Sequence, residues 1–333
     1  MPSWQSPPGL GNNVPARSTA TNRSEVANEG RRDFRRARLA RWREALAVEA
    51  FFLPTVLSFV LLVAVPSILT IALSFTNFDG YSFKFQFVGL SNYSALFSDP
   101  QITASLYFTI LYAVGTTVIV TVIAIPLAVI VNVHFFGHKI VRAVFFFTSV
   151  PSLLVLALVW TYILSPLGSG VINYLLYGLF GVGPVQWLSE NHLAQLSVIM
   201  VGVWAQVGWH SVLYLGYLQS IPSDYHDAAV VDGASVLRRF FGITVPLLSP
   251  AMTVSVVLLI ISGLRVYELP LALTQGGPVY STYTVTQNIL LYGVSNGKFG
   301  EGSALSAVFL ALVLAVLFGI LGALRHREYG LFR

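Results

Sequence analysis

Six runs of the chain are apolar for about 20 residues or more, the length needed to cross the hydrocarbon core of a bilayer: 47–75, 104–131, 141–165, 194–219, 251–274 and 303–324. In lipid every backbone N–H and C=O must be satisfied within its own segment, so runs of this kind are helices. None carries the charged outer stripe of a helix that packs on a water-soluble core. Only 10% of the 333 residues are charged and the mean hydropathy is +0.73, where ordinary soluble domains carry about 25% charge. One large soluble helical core therefore fits poorly. The predicted fold class is an all-α integral membrane protein with six transmembrane helices.

The formal net charge of +5 raises nucleic acid as a partner until the basic residues are placed. Nine arginines precede the first run, Lys139 and Arg142 follow the second, Arg238 and Arg239 follow the fourth, and Arg325, Arg327 and Arg333 follow the last. Lys84 and Lys298 fall on the other side, and Arg265 lies within a run. This asymmetry is a topology signal and no nucleic acid is needed to explain it. By the positive-inside rule both termini and the 221–250 loop are cytoplasmic. Residues 1–45 are rich in Ser, Asn, Pro and Arg and cannot bury enough apolar surface to fold alone. They read as a disordered Arg-rich cytoplasmic tail ahead of a six-span domain over 46–325 and a short cytoplasmic tail over 326–333. A secretory signal is a poor fit, because the charged stretch is too long and the first apolar run exceeds a signal's apolar segment. The arginines of 31–43 could also meet anionic lipid headgroups, at roughly 1 kcal/mol each; topology is the plainer reading. There is no cysteine, which excludes disulfides and thiolate metal sites.

Catalytic chemistry finds no footing. The loops at 76–103, 166–193 and 275–302 are too short for an enzyme domain; their Trp187, Tyr174, Tyr177 and Tyr283 read as interfacial anchors. A phosphate-cradling loop needs G-x-x-x-x-G-K-[ST]; the nearest string, 293–299, is one residue short, lacks the Ser or Thr and reads as a turn. His134 and His138 stand four apart with no third metal ligand nearby. His210 and Ser211 are adjacent but point apart on a helix, and no third group orients them. The chain is not expected to be an enzyme.

The 221–250 loop is the polar exception in this sequence. Ser223 or Asp224 can cap a helix of about three turns after Pro222, with Asp224 and Asp227 favouring its positive end. Gly233 permits a left-handed turn into a second segment, 235–244, that should end ahead of Pro246. Ala228, Ala229, Gly233 and Ala234 let another backbone come close, while Asp227 and Asp232 offer an ionic handle. An interface-packing loop is the bland alternative.

DAAVVDGAS followed by F-x-x-I-T-V-P-L-L-S-P is similar to the EAA loop of binding-protein-dependent ABC importer permeases, the element that docks into the ATP-hydrolysing subunit. LPTVLSFVLLVAVPSILTIALSFTNFDG, FVGLSNYSALFSDP and LALTQGGPVYSTYTVTQNIL resemble the first span, first outer loop and post-fifth-span stretch of the maltose-type, first-permease subtype. The likeness covers about 46 to 325. It implies a coupling site at Asp227, Ala228, Ala229, Asp232, Gly233 and Ala234, with Asp227 standing where the family usually has Glu and reaching one methylene less. It also implies a second permease subunit, two ATPase subunits holding the ATP and Mg, an extracytoplasmic solute-binding lipoprotein or periplasmic protein, and no cofactor on this chain. The setting implied is the bacterial plasma (inner) membrane.

The same resemblance carries sugar contacts onto Gln206 and Trp209 in span four, and onto Leu259, Ser262, Gly263 and Val266 in span five. The second set recurs at helical spacing and should share one face. Trp204, Gln206, Trp209, His210 and Tyr214 mix flat rings with hydrogen-bonding groups, as sugars need, although packing is the plainer reading of aromatics in a span. Arg265 lies beside the span-five face. With Glu268 it forms a charged pair expected on one turn, either structural glue or part of an aqueous path. If Arg265 lines the path, a sugar phosphate or glycerol phosphate becomes a candidate solute. The rival from another class is a secondary transporter or channel driven by an ion gradient through Arg265 and Glu268; it would favour inverted repeats, and none is evident.

Overall fold

The computed structural model describes residues 51–331 apart from Phe83, His134, Phe135, Gly168 and Ser169. The tail expected over 1–45 and the His134 half of the histidine pair therefore lie outside the described residues. The chain divides into two units, Met1–Ile68 and Leu69–Arg333. Residues 51–68 of the first are helix, the start of α1 (Phe51–Leu73). The second continues with α2 (Ser91–Ser98), α3 (Pro100–Asn132), α4 (His138–Phe147), α5 (Leu153–Ile163), α6 (Val171–Phe180) and α7 (Asn191–Leu218). It is completed by α8 (Asp224–Val231), α9 (Val236–Leu247), α10 (Ser249–Leu264), α11 (Glu268–Thr274), α12 (Val285–Leu290) and α13 (Phe299–Leu331). Apart from one isolated antiparallel bridge, Thr76 to Phe87, the regular structure among the described residues is helical, as expected.

Among those residues α1, α3, α7 and the 299–322 part of α13 are each long and apolar enough to cross a bilayer, and α9 with α10 makes a fifth if their 69° bend lies within one span. The predicted third segment, 141–165, is instead two shorter helices interrupted at 148–152. Pro151 has no N–H to continue a ladder, and Ser152, extended at φ −63° and ψ 145°, starts α5 by accepting the N–H of Val155. The fifth segment breaks as well. Its helix ends at Leu264, Arg265 and Tyr267 leave helical geometry, and α11 begins at Glu268 with Pro270 in its first turn, where a missing N–H costs nothing. In the loop, the second segment does not stop before Pro246. The turn ahead of it widens so that the Val245 N–H reaches the Phe240 carbonyl five residues back, and the same widening precedes Pro66, from Val65 to Val60. In both places the widened turn lies directly ahead of a proline, whereas α3 stays α-helical around its internal Pro126. At the other terminus α13 runs on through Leu331.

The core of the second unit is the packing of α3 on α7, with α10 laid across α3. Phe108, Tyr112, Val120 and Ala124 of α3, Val198, Val201 and Ala205 of α7, and Leu259 of α10 belong to one buried cluster. One end of the bundle is tied by side chains: Gln101 Nε2 donates to Asn288 Oδ1 at 2.7 Å, the Tyr292 hydroxyl donates to the Asp99 carboxylate, and Thr284 with Gln287 forms a reciprocal cap on α12. Burial first, then the Asp99 carboxylate, pushes the Tyr292 hydroxyl well above the usual phenol range. In the 166–193 loop Asn173 holds Ser165, Val185 and the Trp187 indole at 3.0 Å each, so Trp187 serves loop packing. The opposite end carries α8 and the start of α9.

Candidate docking loop and solute cavity

The α8 helix is eight residues long, about two turns where about three were expected. Its N-terminus is not capped as the sequence suggested. Ser223 has helical angles and its side chain makes no cap bond, so Asp224 and Asp227 in the first turn are left to complement the dipole. The C-terminus is more strongly specified. Gly233 has φ +71°, its N–H donates to the Val230 carbonyl at 3.0 Å, and the Ala234 N–H reaches back to the Ala229 carbonyl at 2.9 Å. This 5→2 and 6→1 pair is the Schellman arrangement. Ser235 then starts α9 by accepting the Arg238 N–H. Asp227, Ala228, Asp232 and Gly233 are exposed, Ala229 is buried and Ala234 is half-buried. Val231 is 88% exposed and Tyr225 55%, an apolar surface not picked out from the sequence, although two adjacent valines in a polar helix were its signal.

Halfway along α7 lies a cavity of about 360 Å³. Thr148, Ser149 and Leu153 of the α4–α5 break form one wall, Gln206 and Trp209 of α7 a second, and Leu258 and Ser262 of α10 a third. Gln206 Nε2 points to Ser262 Oγ at 3.4 Å. The Trp209 indole is 43% exposed and packs edge-on against His210, with ring centroids 4.7 Å apart. His210 is buried and its Nδ1 pairs with Ser255 Oγ at 2.7 Å, which clamps α7 to α10 directly behind the cavity. A flat ring beside an amide and hydroxyls suits a ligand with an apolar face and a polar rim.

The structure divides the span-five set. Ser262 reaches the cavity with Gln206 and Trp209, but Leu259 and Gly263 are buried on the packing face of α10 and Val266 is buried just past its end. A Cβ on Gly263 would fall 2.7 Å from the Ala113 Cα of α3. The spacing therefore does not mark one common face: Leu259 and Gly263 lie on the face the bundle buries, because small and aliphatic side chains let helices approach closely, Ser262 turns away from it, and Val266 lies past the end of the helix. Arg265 and Glu268 are not on one helical turn: they flank the break between α10 and α11, both exposed. Among the described residues the ion pair formed is Lys298 with Glu301, at 3.1 Å, so the expected Arg265–Glu268 pairing is not made.

Trp204 stacks edge-on with Trp160 of α5 at 5.5 Å and Tyr214 is fully buried, so both serve packing. Ser211 Oγ returns to the Val207 carbonyl at 2.7 Å while His210 turns to Ser255, so His210 and Ser211 do not pair with each other. Lys298, at the end of the string resembling a phosphate loop, follows a turn closed from its N–H to the Tyr292 carbonyl. No group of three His, Asp or Glu side chains suited to a metal occurs among the described residues.

The model of the family described as "Binding-protein-dependent transport system inner membrane component" matches residues 121–328, a stretch that contains the docking loop and both helices of the cavity. The probable starch degradation products transport system permease protein of Thermoanaerobacterium thermosulfurigenes is 30% identical over 267 residues, 80% of this chain and 89% of that protein. The trehalose/maltose transport system permease protein of Thermococcus litoralis is 32% identical over 230 residues, 69% of this chain and 77% of that protein. In three dimensions the chain shares its fold with a bacterial ABC transporter involved in the import of the acidic polysaccharide alginate, with a TM-score of 0.75 at 21% identity over 85% of this chain and 96% of that one. The chain belongs to the family of binding-protein-dependent transport system inner membrane components, as a multi-pass permease.

Proposed function

We propose that this chain is one of two permease subunits in an ATP-driven importer for a saccharide, lining the solute path and receiving the movement of a separate ATPase through α8. The observation that carries the reading is the continuity between dock and cavity. Exposed α8 passes through Gly233 into α9, α9 bends into α10, and α10 carries Ser262 to the cavity opposite Trp209. In this reading α8 and both termini face the cytoplasm, and an extracytoplasmic binding protein delivers solute at the end bearing Gln101 and Asn288. Closure of the ATPase dimer moves α8 as a rigid body and turns the cavity outward. The Trp209 indole takes the C–H face of a sugar ring, while Gln206 and Ser262 take its hydroxyls. Weak solute affinity is sufficient, since passage needs both entry and exit. Relatives that carry starch products, trehalose or maltose support a saccharide. A gradient-driven transporter does not fit a binding-protein-dependent family.

Affinity purification of the chain from mildly solubilised membranes tests this reading. A second permease and an ATPase should co-purify, and saccharide should stimulate ATP hydrolysis in the complex. Recovery of the chain alone, with no ATPase, would overturn it. A second reading concerns charge. The exposed Val254, Leu258 and Ser262 follow one another on one line of α10, the exposed Arg265 comes directly after the helix ends, and the Arg265 guanidinium has no ion-pair partner among the described residues. This favours an anionic saccharide. Arg265→Ala should then weaken uptake of a uronate or phosphorylated sugar far more than that of its neutral counterpart; equal effects would remove the charge reading.

A further inference from the structure

We propose that Ser149 is a positioning residue of the solute cavity, acting through the backbone of α7. Its hydroxyl donates to the Ala205 carbonyl at 3.0 Å and accepts the Trp209 N–H at 3.1 Å. Ala205 and Trp209 stand four residues apart, so these are the two groups whose mutual bond closes one turn of an α-helix. A side chain lodged on both members of such a pair is a known cause of local opening and bending. The turn it occupies contains Gln206 and ends at Trp209, two of the α7 residues that line the cavity.

Two features of sequence make this contact. The α4–α5 break created by Pro151 frees Ser149 from helical geometry, so its hydroxyl is directed away from its own segment. The adjacent Thr148 behaves differently, returning its hydroxyl to the Phe145 carbonyl at 2.8 Å. Close approach is possible because residue 208 is glycine: a Cβ there would lie 1.9 Å from the Phe145 carbonyl oxygen. The end of α4 therefore abuts α7 at Gly208, and Ser149 reaches the next available backbone groups on either side of it.

The directions of Gln206 and Trp209 consequently depend on a hydroxyl belonging to the broken third segment. Any displacement of that break is transmitted to the cavity wall through one donor and one acceptor. This assignment rests on the cavity being the solute path, and its test requires no solute.

Because the chain has no cysteine, a Gln206→Cys reporter is the one thiol of this subunit. It is placed in membrane vesicles containing the full importer, and its rate of modification by aminoethyl methanethiosulfonate is followed. A second reporter, Leu196→Cys, sits on an exposed position of the same helix away from the contact. Adding Ser149→Ala should change the rate at position 206 by about fivefold, the factor that one ordinary hydrogen bond is worth, and leave the rate at 196 unchanged. Ser149→Thr, which keeps the hydroxyl, should restore the rate at 206, and Thr148→Ala should leave it unchanged. An unaltered rate at 206, an equal change at 196, or a Thr variant that behaves as Ala would overturn the proposal. A negative result would leave the saccharide reading standing, since co-purification and stimulated ATP hydrolysis decide that separately.

Discussion

The docking loop and the cavity both depend on a glycine, and they depend on it for opposite reasons. Gly233 stands in open space, where a Cβ would meet nothing within 4 Å, but its φ of +71° is one that side chains resist. Gly208 sits within α7, and its missing Cβ leaves room for the Phe145 carbonyl. The loop is thus specified by bonds between near neighbours, from Ala234 back to Ala229 and from Gly233 back to Val230. The cavity is specified by contacts between residues far apart in sequence: Ser149 with Trp209, Gln206 with Ser262, His210 with Ser255. Local specification leaves α8 free to move as a body, and long-range specification fixes the cavity walls to one another. That division suits a part that is pushed and a part that must hold shape.

The strongest way to break the comparison is Gly233→Pro. Proline fixes φ near −65° and removes the N–H given to Val230, at a cost of roughly 3 kcal/mol or more. Coupled uptake should be almost abolished while the protein still inserts, measured as transport in vesicles at matched membrane levels. Retained uptake would mean that the turn does not position α8. Next in size is Gly208→Ala. The added methyl must displace the end of α4 or α7, and overpacking of this kind costs about 1–3 kcal/mol. A lowered thermal midpoint in detergent, with impaired transport, is the expected result; a midpoint equal to that of the unaltered chain would show that α4 yields freely.

Trp209→Ala should cost less stability, since the ring is partly exposed, and should instead raise the half-saturating solute concentration by up to about tenfold, the scale of one aromatic contact. Trp209→Phe should recover part of that loss. Uptake assayed over a range of saccharide concentrations separates this from a fall in maximal rate. A purely maximal-rate effect would place the indole in packing alone.

These ranges of contact also explain what could be read in the chain itself. The helices over 100–132, 191–218 and 299–322 follow from apolar length, because a bilayer imposes that length whatever the neighbours are. The end of α8 was legible because Gly233 and the small residues around it encode bonds between groups only three and five residues apart. The break in the third segment had a signal that apolar length obscured, a Thr-Ser-Val-Pro-Ser stretch at 148–152 inside the greasy run. The break at 265–267 was masked by the helical spacing of Leu259, Ser262, Gly263 and Val266, which reads as one unbroken face although Ser262 turns to the cavity and Val266 lies past the helix end. Gly263 was the clue to packing, since Ala113 closes on it. Ser149 could not be found from spacing at all, because its partners are backbone groups of a helix more than fifty residues away.

The finest test of the comparison is to place the same methyl at the other glycine. Gly233→Ala meets no steric obstacle, so only the left-handed backbone is penalised, by about 1–2 kcal/mol. That cost falls on a short exposed helix end and should remain local, with the thermal midpoint of the whole protein unmoved and uptake reduced only slightly. Amide exchange resolves it: the amides of Gly233 and Ala234, which close the end of α8, should exchange about five- to thirtyfold faster, while the α7 amides around Trp209 keep their protection. Gly208→Ala should give the reverse pattern, quiet at α8 and loosened at Trp209. If both variants loosen both regions, the loop and the cavity open together as one cooperative unit, and α8 does not move independently of the walls it is proposed to drive.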